Sequence, residues 1–100
     1  MPEWLSLQDF VPHLSTRFDV DGRDGYTLQL ADVTDLSNGR LEQFSLVFSG
    51  NDRPWLGQGS YRLKHPAMGD HELFLVPIGP DAAGMRYEAV FSRLLEPAKT

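Results

Sequence analysis

The chain has 100 residues, 41% of them hydrophobic and 23% charged, with a net charge of −5 and no cysteine. That size supports one core and leaves little room for a deep substrate chamber beside it, and the absence of cysteine excludes disulfide, thiolate-metal and thiol chemistry. The charge is uneven: residues 1–35 hold seven acids and two bases, whereas residues 36–100 hold seven of each. Such an acidic first third argues against nucleic acid and anionic membrane surfaces, which select Lys and Arg. It reads as a solvated edge, or as a patch for a basic partner.

Ser6 with Asp9 forms a capping-box-like pair, Leu5 and Phe10 stand at the staple positions, and Pro12 keeps the helix short or kinks it. Leu7, Phe10, Val11 and Leu14 fall at helical spacing, so a short helix over 6–14 is expected to plug or cover a sheet. From Arg17 the period becomes alternating. Arg17–Val20 is a short strand and 21–25 a glycine-rich turn. Tyr26, Leu28 and Leu30 then share a face until the phase slips near Ala31, which predicts a bulge.

Ser37-Asn38-Gly39 is a turn before an inward face of Phe44, Leu46 and Phe48. A loop from Ser49 to Gly59 precedes a strand with Tyr61, Leu63 and His65 on one face. After the turn 66–69, the segment from Glu72 to Ile78 is apolar on both faces, which predicts a central or helix-covered strand. Met85, Tyr87, Ala89 and Phe91 form the last inward face, and 96–100 is an expected frayed tail. The sum is a single mainly β domain: about six antiparallel strands within 16–93, in a small barrel or sandwich with a short N-terminal helix packed on it.

No apolar run approaches the length of a membrane span, and the N-terminus lacks signal-peptide features, so a cytoplasmic location is expected. His65 and His71 flank one hairpin turn beside Asp70, a pattern that could hold a divalent ion. The competing and favoured reading gives His65 a structural role, capping the turn before Pro66. Asp19, Asp21 and Asp24 hint at calcium, but the EF-hand register fails at Arg23, Asp24 and Leu30. No Walker, nucleophile-elbow or zincin motif is present. Catalytic residues and cofactors are therefore not expected. Arg53, Trp55 and Leu56, on a loop framed by proline and glycine, are the candidate partner contact, with a lid over the barrel end as the alternative. Trp4 is expected to pack beside the helix. A ligand-binding barrel lined by Tyr26, Phe44, Phe48, Tyr61, Tyr87 and Phe91 is a further reading, although barrels of few strands are filled by such side chains.

Gln58-Gly59-Ser60-Tyr61-Arg62-Leu63-Lys64-His65-Pro66-Ala67-Met68-Gly69, Leu73-Phe74-Leu75-Val76-Pro77-Ile78-Gly79 and Tyr87-Glu88-Ala89-Val90-Phe91 together resemble a bacterial domain-of-unknown-function family of about this length, with Met68 where leucine is more usual. The resemblance implies a shared β fold and no assigned activity. It also implies an association with phage-tail-like assemblies. The expected function is thus a non-catalytic interaction or assembly module with a protein partner, in the cytoplasm or in a phage-like assembly. Homo-oligomerisation is compatible with it.

Overall fold

The computed structural model describes residues 7–50, 55–82 and 84–94. Ser6, Leu5, Trp4, Arg53 and the tail 96–100 lie outside them. A short helix α1 (Leu7–Phe10) runs into a 3-10 turn (Val11–His13), with Pro12 inside that turn. Six strands complete the chain: β1 (Arg17–Val20), β2 (Thr27–Asp35), β3 (Leu41–Gly50), β4 (Gly59–His65), β5 (Gly69–Asp81) and β6 (Gly84–Leu94). Every pairing is antiparallel, and the order β1-β2-β3-β6-β5-β4 closes on itself as a barrel. Among the described residues, no helix is long and apolar enough to cross a membrane.

The turn chemistry agrees closely with the sequence. Gly22, Gly25 and Gly69 take positive φ, where a side chain would be strained. The Asn38 side-chain oxygen accepts the Arg40 and Leu41 N–H groups and closes the β2–β3 hairpin. The predicted bulge is present: Leu30 pairs with Phe48 and Asp32 with Val47, which leaves Ala31 as the extra residue.

Phe18, Leu28, Leu30, Leu46, Phe48, Leu63, Leu75 and Tyr87 are fully buried and fill the interior. Phe18 meets Phe48 edge-on at 5.4 Å, a geometry in which a positive ring edge faces a negative ring face. Phe10 closes one end, 6.0 Å from Phe44 and 5.6 Å from Phe91, whose rings stack at 4.7 Å. Phe10, with Leu7 beside it, thus plugs that end, whereas Val11 and Leu14, expected on the same apolar face, are exposed because the helix gives way to a 3-10 turn at Val11. Tyr26, Phe44, Phe48 and Tyr87 belong to this packed core, with Tyr61 and Phe91 against it. These aromatics fill the barrel rather than line a chamber.

One strand departs from expectation. The apolar pattern from Glu72 to Ile78 predicts cover on both faces, yet Phe74 and Ile78 on β5 are exposed. The strand buried on both faces is β3, where Ser45 and Val47 are enclosed along with Phe44, Leu46 and Phe48. Cover of an outer face needs a second layer, and the short helix lies against β2. Laterally, β3 has β2 along one side and β6 along the other for most of its length, while β5 changes partner midway.

Candidate interaction surface

The change of partner on β5 creates the surface. Gly69 to Leu75 pair with β4, and from Val76 onward the strand pairs with β6. Pairing between β5 and β6 starts at Asp81 with Gly84 and reaches Val76 with Glu88, where it ends among the described residues. Beyond that point β6 continues alongside β3 alone, to Leu94. The two strands thus part below Val76 and Glu88 like the arms of a wedge. Each arm has one edge without a strand partner among the described residues.

Large apolar side chains sit on the outer face at this seam. Phe74 is 52%, Val90 51% and Ile78 45% exposed. Alternation sends Leu73 and Leu75 inward and Phe74 outward. On β6, Tyr87 and Ala89 point in and Val90 out. The same alternation sends Ile78 outward, and the register shift between Pro77 and Gly79 makes it the extra residue of a bulge. Pro77 and Pro80 have no N–H to donate, so the ladder is weakened near this bulge.

The loop singled out from the sequence divides in two. Leu56 is 3% exposed and donates its N–H to the Tyr87 hydroxyl at 2.9 Å, so it seals the core and supplies no contact surface. Trp55 is 37% exposed at its margin. The Tyr61 hydroxyl donates to the Gly57 carbonyl at 2.7 Å and anchors the same loop.

The hairpin histidines face one way but are held apart by separate duties. His65 pairs with Gly69 and Leu63 with His71, so both imidazoles lie on the inner face. Nδ1 of His65 accepts the N–H groups of Ala67 and Met68 at 3.0 and 3.2 Å, which caps the turn. Nε2–H of His71 donates to the Met68 carbonyl at 2.8 Å. Asp70, opposite Lys64, is exposed. Among the described residues, no group of three or more His, Cys, Asp or Glu side chains comes together. The neighbour that sequence spacing misses is His13, whose ring lies 4.6 Å from that of His65 and edge-on to it. Burial, and the like charge that His13 can carry, push the His65 pKa below the usual 6.5.

Three of the seven acids of the first third gather at the β1–β2 turn. Asp19, Asp21, Asp24 and Lys64 line an open depression of about 590 Å³, and Lys64 lies 3.4 Å from Asp21. Two of those aspartates continue the alternation of β1 outward, into solvent, and the depression is a solvated edge.

With this geometry in view, comparison with known families gives one result. The model of the family described as Domain of unknown function (DUF6916) matches residues 5–91. The chain belongs to that family. No curated protein and no solved structure matches it. The match extends from the N-terminal helix to Phe91, so the plug, the β5 arm and the β6 arm as far as Phe91 lie within the matched extent.

Proposed function

We propose that the protein is a non-catalytic interaction module. Its occupant is an extended, apolar segment of a partner protein, added as a strand along the edge of β6 that, past Glu88, has no strand partner among the described residues. The observation that carries this reading is the coincidence of Phe74, Ile78 and Val90 on the outer face with the point where β5–β6 pairing ends. An unpaired edge offers main-chain donors and acceptors in register, and flanking apolar side chains add selectivity for the segment's own. The filled barrel supports the reading as well, because side chains occupy the volume that a small ligand would need. A module of this kind would act as an adaptor in a larger assembly, of the phage-tail-like sort that the resemblance implies.

Panning short linear peptides against the wild-type chain tests it, with the double variant Phe74→Ser/Val90→Ser as counter-selection. Enriched peptides should carry alternating apolar residues and bind wild type but not the variant. Peptides that bind both proteins alike would place the contact elsewhere and overturn the site. A dimer in sedimentation, abolished by the same double variant, would make the occupant a second copy and overturn the choice of partner.

A further inference from the structure

The two arms of the wedge differ in chemistry along their length, and strand register shows how. The last pair between them is Val76 with Glu88. Two residues further along each strand stand Phe74 and Val90, and two further again Glu72 and Ser92. Alternation puts all four side chains on the outer face, and all four are exposed. Asp70 is the next exposed outward residue on β5. From the fork towards the β4–β5 turn, the outward side chains of the β5 arm therefore read Phe74, Glu72, Asp70: one large apolar group, then two acids.

Two bases stand behind these acids on β4. Arg62 is the register partner of Glu72, and Lys64 that of Asp70. Lys64 is drawn the other way, to 3.4 Å from Asp21. Among the described residues no ion pair joins Arg62 to Glu72 or Lys64 to Asp70. Glu88 lies at the fork itself, where Val76 already fills the place across from it.

We infer that the segment received at this edge is basic as well as apolar. Its apolar residue lies opposite Val90, on the side of Phe74. Lys or Arg stands two positions away towards the open end of the wedge, opposite Ser92 and beside Glu72. This inference rests on the strand addition proposed above and adds the charge of its occupant. Opposite charges on neighbouring strands stabilise a sheet, whereas an acid at that position would meet a like charge. Asp70 extends the same preference by two further positions. The net charge of −5 also favours the approach of a basic segment at low salt.

Charge-swap binding tests it. A random linear peptide library is panned on wild type, and binders lost on Phe74→Ser/Val90→Ser are kept. These should carry Lys or Arg two residues from an apolar residue. A synthetic copy of one binder, with that base replaced by glutamate, should bind wild type at least about threefold more weakly than the original. Glu72→Lys, a change at an exposed position, should reverse the order of the two peptides. Binders without that spacing, or equal affinity of the two peptides for wild type, would overturn the charge preference and leave the strand addition standing. A penalty that persists unchanged on Glu72→Lys would overturn the assignment to Glu72. If every binder also binds Phe74→Ser/Val90→Ser, the strand addition fails and the charge preference falls with it.

Discussion

β3 and β5 carry similar sequences and do opposite work. β3 reads Phe44-Ser45-Leu46-Val47-Phe48, and every one of these side chains is buried, the serine included. β5 reads Leu73-Phe74-Leu75-Val76-Pro77-Ile78, more apolar still, yet two of its largest side chains face out. What separates them is cover. Lateral pairing satisfies a strand's edges, as at Asp19 and Lys64, which are paired on both sides and exposed; its faces are buried only where other side chains pack over them. Apolarity on both faces of a strand therefore signals either burial or a contact surface, and the strand's own sequence does not distinguish them.

The largest test of this contrast is Leu46→Ala. Removing that fully buried side chain should cost about 2–5 kcal/mol in denaturant unfolding, as large-to-small core changes do. A loss well below that would mean that β3 is not the central strand described here. Gly50→Ala probes the end of the same strand. An added Cβ would lie 2.7 Å from Leu28 Cδ2 and 3.1 Å from the Thr27 carbonyl oxygen. Leu28 is locked in the core, so overpacking of about 1–3 kcal/mol is expected in the same assay.

Acidification should act on the turn that opens β5 and leave β3 alone. His65 has a folded pKa below its unfolded value, so the folded chain binds fewer protons than the unfolded one. Its contribution is fully present above about pH 6.5 and is lost as pH falls through the lower, folded value. Thermal midpoints of wild type should therefore drop more between pH 7 and 5 than those of His65→Asn. His13→Asn removes the neighbouring charge and should raise the His65 midpoint in an NMR titration. The smallest effect belongs to Phe74→Ser, which should change unfolding free energy by no more than about 0.5 kcal/mol, as exposed positions do.

Much of this architecture could be read from particular residues. The glycines of the 21–25 turn, the phase slip at Ala31 and the alternation of Met85, Tyr87, Ala89 and Phe91 placed strands and a bulge where the structure has them. Helical spacing of Phe10 with its neighbours gave the plug. The contact surface was harder, because strand pairing is nonlocal. Nothing in the order Leu73-Phe74-Leu75 reveals that β6 departs at Glu88. The contact between His13 and His65 was hidden for the same reason: the two stand 52 residues apart, and only closure of the barrel brings their rings together. Chain proximity drew attention to His71 instead, which shares a face with His65 but bonds to the backbone of its own turn.

The central claim is that the outer face of the β5–β6 seam serves a partner and not the fold. One comparison of the Phe74→Ser/Val90→Ser double variant with wild type tests it, reading unfolding and peptide binding on the same samples. Superimposable denaturation curves are expected, with binding weakened at least about tenfold, roughly 1.4 kcal/mol. A variant that unfolds much earlier would make the face part of the core's support, and one that binds as tightly as wild type would contradict the interaction surface outright.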